Sequence, residues 1–132
     1  MAAALGTKDI VMCPSIVDVA GLNRISKMIF GERDSVPPEF EGRQFYIHNP
    51  QVTLMRTSVE ESRRFGKIIA EKLSGYEGPV SVLLPTKGVS VIGLEGQPFY
   101  DPDADAALFE SLHAGLPESV PVVEINASIN DP

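Results

Sequence analysis

The sequence predicts an α/β protein: a small parallel, Rossmann-like sheet layer with helices packed on it. Three observations carry that expectation. Short apolar runs with β-branched residues recur at 10–12, 44–47, 79–85 and 121–125. Two segments with helical spacing lie between the last three of these runs, one at 57–73 and one opening at Asp101-Pro102. Finally, 11 Gly and 11 Pro in 132 residues punctuate the chain into short elements.

The first run, Ile10-Val11-Met12, is continuous and stopped by Cys13-Pro14, as a buried parallel strand would be. A loosely periodic helix follows over 18–28 through Val17, Ala20, Ile25 and Met28, weakened by Gly21. These make a first strand–helix unit over 1–29. Residues 30–43 read as loop, because the paired prolines Pro37-Pro38 bar a helix interior or an inner strand. Gln44-Phe45-Tyr46-Ile47 then reads as a strand ended by His48-Asn49-Pro50.

The clearest helix runs from Thr57 or Ser58 to about Leu73, with Phe65, Ile68, Ile69 and Leu73 on one face. Thr57 with Glu60, or Ser58 with Glu61, fits a capping box, in which each partner satisfies the other's free N–H. Residues 79–85 form the strongest strand, and Thr86-Lys87-Gly88-Val89-Ser90 leaves its carboxyl end. Asp101 as N-cap and Pro102 at the first position open the second helix. Ala104, Ala107, Leu108 and Leu112 line its inner face, and Asp103, Asp105 and Glu110 stay outside. A last strand follows at 121–125. Residues 44–132 thus form a strand–helix–strand–helix–strand unit, the pattern of a parallel sheet with right-handed crossovers.

Composition narrows the function classes. Eleven Lys and Arg against 18 Asp and Glu leave a net charge of −7 and a pI near 4.7. A dedicated DNA binder needs a basic surface to neutralise phosphates, and anionic lipid has the same requirement. No apolar run approaches the ~20 residues of a membrane span, and no signal-type N-terminus is present. The lone Cys13 excludes an internal disulfide framework. A soluble, cytoplasmic chain is expected.

Ligands in open α/β sheets bind beyond the carboxyl ends of the strands. Four exits therefore matter: residues 13–18, 48–57, 86–90 and 126–131. Lys87-Gly88-Val89-Ser90 combines a cation, a permissive glycine and a hydroxyl, a set that can hold a phosphate or carboxylate or serve as a solvated turn. It is neither a Walker A loop nor a dinucleotide fingerprint. Arg56-Thr57-Ser58 can meet an anion at a helix N-terminus or simply cap it. His48 is equally open to a ligand-facing and a structural role. Cys13 with His48 as base and Asn23, Asn49 or Asp18 as orienter would make a small hydrolase, although no local signature surrounds it. His113, at a helix end, is the other histidine.

Several strings taken together resemble one family: Gly6-Thr7-Lys8-Asp9-Ile10, the run from Ser15 through Asp18 to Asn23, Tyr46-Ile47-His48-Asn49, Val52-Thr53-Leu54-Met55-Arg56-Thr57, Lys87-Gly88-Val89-Ser90, Pro98-Phe99-Tyr100-Asp101-Pro102 and Ile129-Asn130-Asp131-Pro132. They resemble the ATP-binding domain family of the tomato mosaic virus resistance protein, found in bacteria, fungi and plants. The resemblance covers residues 6–132 and matches the family's second subdomain. It implies that the glycine- and serine-rich phosphate-binding half and a middle segment are lacking, with Ile25-Ser26-Lys27-Met28-Ile29 joining the flanking parts directly.

The resemblance implies a non-catalytic, nucleotide-binding and self-associating module, with ATP and Mg as cofactor. The expected ligand site faces an anion with Lys87, Gly88, Ser90, Arg56 and Thr57. Ser15, Asp18, Asn23, His48 and Asn49 line the same mouth. Missing strands would expose a long sheet edge, which favours a homodimer. A purely structural or interaction fragment, and a small hydrolase using Cys13 or an Asp, are the alternatives.

Overall fold

The computed structural model describes residues 27–132. The expected strand at 10–12, nearly all of the helix at 18–28, and Cys13, Ser15, Asp18 and Asn23 lie outside the described residues. Among those described are strands β1 (Lys27–Phe30), β2 (Phe45–Asn49), β3 (Val52–Arg56), β4 (Val82–Pro85) and β5 (Val122–Ile125). Helix α1 (Val59–Ser74) lies between β3 and β4, and α2 (Pro102–Gly115) between β4 and β5.

The α/β class holds, with the strands divided between two sheets. β4 and β5 pair in parallel, as expected for strands joined through a helix. β1, β3 and β2 form a separate antiparallel sheet with β3 in the middle. Three expectations are corrected here. The strand at 44–47 joins the antiparallel sheet and not the parallel one, because the chain turns back directly after it and pairs with it. Met28 falls in a strand, not at the end of a helix, since Met28 pairs with Met55 across the sheet. The segment 48–57 is not simply a strand exit, because Val52–Arg56 turns back as β3. Asn49-Pro50 makes the reversal, and the Asn49 Oδ1 accepts the Gln51 N–H at 2.9 Å, an Asx turn. Thr53, Leu54, Met55 and Arg56 are all buried, so both faces of β3 are covered.

Residues 31–44 form loop with two single 3-10 turns, Arg33–Ser35 and Pro38–Phe40. Pro38 opens the second turn, where its missing N–H costs nothing. Phe40 then packs on Phe30 with ring centroids 5.5 Å apart. Gly42 has φ 87°, a conformation that favours glycine, and swings the chain into β2.

Ser58 caps α1 with the full capping box: the Glu61 N–H donates to its Oγ at 3.2 Å, and its own N–H donates to Glu61 Oε2 at 2.7 Å. In α2, Asp101 Oδ1 accepts the Ala104 N–H at 3.0 Å, and Pro102 occupies the first turn. Ala104, Ala107, Leu108 and Leu112 are buried as their spacing predicts.

The inner face of α1 departs from expectation. Phe65 and Ile69 pack on the core and Leu73 is buried, but Ile68 is exposed. The fully covered line is Ser62, Gly66, Ala70 and Leu73. Small residues occupy it because α2 approaches closely there. A Cβ on Gly66 would lie 2.6 Å from the Ser111 Cβ, and one on Gly115 would lie 2.7 Å from the Ala70 Cβ. The core then joins Ala70 and Leu73 of α1, Leu108 and Leu112 of α2, and Val80, Val82 and Leu84 beneath them. β4 starts later than the apolar run, at Val82, whose N–H donates to Pro121 O. Both helices cover one face of the parallel pair. Among the described residues no helix is long and apolar enough to cross a membrane.

Candidate functional site

The carboxyl ends of β4 and β5 bring two of the expected exits together. The parallel ladder continues past both strands: the Thr86 N–H donates to Ile125 O at 2.9 Å and the Lys87 N–H to Ala127 O at 3.1 Å. Gly88 bridges Ser128, and the Ile129 N–H donates to Gly88 O at 3.0 Å. Gly88 is buried at φ 152°, and a Cβ there would meet Leu94 Cδ2 at 2.8 Å. Only glycine lets the loop pass this close to its neighbour.

The facing loop is locked by its own side chains. Ser128 donates through its N–H to Asp131 Oδ2 and through its Oγ to Asp131 Oδ1, both at 2.8 Å. The backbone bond from Ser128 is the main reason the Asp131 carboxyl titrates below its ordinary range, with the Ser128 hydroxyl and the Lys87 charge adding to it. Lys87 itself is exposed. Ser90 is 4% exposed, and its Oγ makes no hydrogen bond among the described residues. Gly93 leaves room for that hydroxyl, since a Cβ there would lie 3.0 Å from it. Lys87, Gly88 and Ser90 are thus one structural unit. Its further members, Ser128 and Asp131, belong to the fourth exit; the sequence marks Asp131 only within the family-matching string and Ser128 not at all.

Arg56 and Thr57 are placed differently. Arg56 ends β3 and is 4% exposed. Its Nη2 donates to Asp105 Oδ1 at 2.7 Å and to Asp101 O at 3.3 Å, while Nη1 reaches Thr57 Oγ1 at 3.4 Å. The guanidinium therefore ties the antiparallel sheet to the first turn of α2 and faces an internal carboxylate. Thr57 is buried beside it. This corrects the expectation that Asp105 stays outside. Burial, reinforced by the Asp101 charge, pushes the Asp105 carboxyl above its ordinary range, against the lowering pull of Arg56.

The α1 N-terminus is served by the capping box and by Arg43, which no motif in the sequence marks. Arg43 Nη2 donates to Glu61 Oε2 at 2.6 Å and to Arg56 O at 2.8 Å. Burial pushes the Glu61 carboxyl up, but the Arg43 bond and charge and the two Ser58 bonds together hold it below its usual value.

His48 and Asn49 sit exposed at the β2–β3 turn. Asn49 pairs with Val52, at the end of β3 opposite Arg56, so the hairpin separates them by about 13 Å of strand. The structure does not bring them into one mouth with Arg56 and Thr57. His113 is exposed and its Nε2 lies 2.9 Å from Glu124 Oε1, a link between α2 and β5.

Comparison with known proteins shows the family. Residues 4–132 match the profile described as the C-terminal domain of uncharacterised protein family UPF0261. The chain is 40% identical over 121 residues to a UPF0261 protein of Mesorhizobium japonicum, covering 90% of this chain and 30% of that protein. A UPF0261 protein of Clostridium tetani is 41% identical over 119 residues, 89% of this chain and 29% of its own length. The tomato ToMV resistance protein Tm-1 (GCR237) is 42% identical over 99 residues, 75% of this chain and 13% of its own. The chain thus spans less than a third of the length of these relatives. It belongs to the uncharacterised protein family UPF0261, with residues 4–132 matching that family's C-terminal domain.

Proposed function

We propose that this domain is a non-catalytic α/β module that binds a small anionic ligand, with a nucleotide such as Mg-ATP as the first to test, where β4 and β5 end. The observation that carries this reading is the buried Ser90 hydroxyl without a hydrogen-bond partner among the described residues, three residues from the exposed Lys87 ammonium. A buried hydroxyl left unmatched costs about 1–3 kcal/mol, and a polar ligand entering the loop offsets that cost. Gly88 lets the loop pass close against Leu94, and Lys87 supplies the charge. The family resemblance in Lys87-Gly88-Val89-Ser90 supports a phosphate-bearing ligand. Arg56 and Thr57 contribute to this reading by holding the fold.

Thermal unfolding by circular dichroism, with and without millimolar Mg-ATP or inorganic phosphate, tests the proposal. Ligand at about ten times Kd stabilises the native state by about 1.4 kcal/mol, a shift of a few degrees. The shift should vanish in Lys87→Ala while the unliganded midpoint stays in place. A midpoint that neither ligand moves refutes the assignment, as does an equal shift in Lys87→Ala.

A further inference from the structure

The parallel pair carries an apolar face on the side away from the helices. Leu83 and Val123, opposite each other in register, and Ile125 are 41%, 48% and 39% exposed. Their neighbours on the other face, Val82 and Leu84, are buried in the core. Parallel strands ordinarily have both faces covered, because their crossover connections place helices on each side. Here α1 and α2 cover one side; on the other, Pro85 opposite Ile125 is buried, while Leu83, Val123 and Ile125 stay exposed.

We infer that the Leu83–Val123–Ile125 face is the seat of an amphipathic helix supplied by the rest of a full-length UPF0261 chain. Two observations choose this occupant. First, the three side chains expose on the order of 200 Å² of apolar surface, well short of the ~800 Å² per partner that a stable complex of free subunits buries. A patch of this size is held only by a partner that is already tethered, since a covalent link supplies a high effective concentration. Second, the chain covers 30% and 29% of its Mesorhizobium and Clostridium relatives, so a tethered partner is available in such proteins. Crossover connections of parallel strands place helices on such a face.

Hydroxyl-radical footprinting with mass spectrometry tests this on two proteins as they exist: this chain and the full-length Mesorhizobium relative. Leu84, 4% exposed on the covered face of the same strand, is the internal standard for protection. Leu83, Val123 and Ile125 should oxidise freely in this chain. Their aligned counterparts in the relative should be apolar and oxidise about tenfold more slowly, the ratio of 41% to 4% exposure between Leu83 and Leu84. Equal oxidation in both proteins overturns the inference, and so do polar residues at the aligned positions. Protection in this chain at every concentration would mean that its own residues fill the face. Protection only at high concentration would mean that a second copy does. Either result also overturns the assignment.

Discussion

Gly66→Ala is the sharpest test of how the two helices are held. The added Cβ would stand 2.6 Å from the Ser111 Cβ and 2.7 Å from Leu108 O. Comfortable carbon contacts lie at about 3.5–4.0 Å, so α1 and α2 must part by roughly 1 Å. One of the two obstacles is backbone, which no rotamer change relieves. Overpacking of this kind costs about 1–3 kcal/mol, while replacing a mid-helix glycine by alanine returns about 0.5–1 kcal/mol. Parting the helices also loosens the Ala70–Gly115 approach one turn pair away. The balance is a loss of about 1–2 kcal/mol, read as a thermal midpoint lower by about 5 °C. Gly75→Ala is the matched control: Gly75 ends α1 at φ −85°, and its Cβ would meet nothing nearer than 3.8 Å. That variant should hold or slightly raise the midpoint, because alanine restricts the unfolded chain. Both are measured by circular dichroism melts. If Gly66→Ala melts at or above the level of Gly75→Ala, the close helix seam is not what orders this core.

Three further predictions concern charge and backbone. Removing the guanidinium with Arg56→Met leaves the Asp105 carboxylate without its ion-pair partner and should cost about 3–5 kcal/mol near neutral pH. Because that carboxyl is already raised by burial, its ionisation opposes folding, so the loss should shrink as pH falls and Asp105 takes up a proton; a pH-independent deficit in chemical unfolding would contradict this. Glu61 behaves in the opposite sense: its folded pKa lies below the ordinary 4.5, so its stabilisation is present above that pH and disappears as pH falls through the folded value. Wild type should therefore be more stable than Glu61→Gln at pH 7, with the two melting curves converging in acid. Gly88→Ala forces a side chain onto Leu94 at φ 152° and should destabilise by about 1–3 kcal/mol while weakening any anion-induced thermal shift; an unaltered shift would separate the loop's shape from binding.

Local features were legible because their causes lie within a few residues. The Ser58–Glu61 capping box, the Asp101-Pro102 helix start, the buried stripe of α2 and the core of β4 each follow from spacing that neighbouring residues decide. The inner line of α1 was half legible: Phe65, Ile69 and Leu73 announce themselves by size, whereas Gly66 and Ala70 matter only because α2 arrives there. The loop at Lys87, Gly88 and Ser90 could be marked as a strand exit. Its partner loop could not be resolved residue by residue, since Ser128 and Asp131 gain meaning from the parallel ladder that brings them alongside.

The sequence alone determined the α/β class, the two helices with their caps, and the acidic character of the chain, because each rests on short-range spacing or on composition. Tertiary structure decided that Val52–Arg56 folds back on Phe45–Asn49 as an antiparallel hairpin, and that Arg56 meets Asp105 across 49 positions. It also decided that His48 and Asn49 stand at the end of the hairpin away from Arg56 and Thr57. Those outcomes depend on which surfaces meet once the chain is compact. A residue's charge and shape say what it can pair with, but the long-range loop closures of the fold settle which partner it reaches.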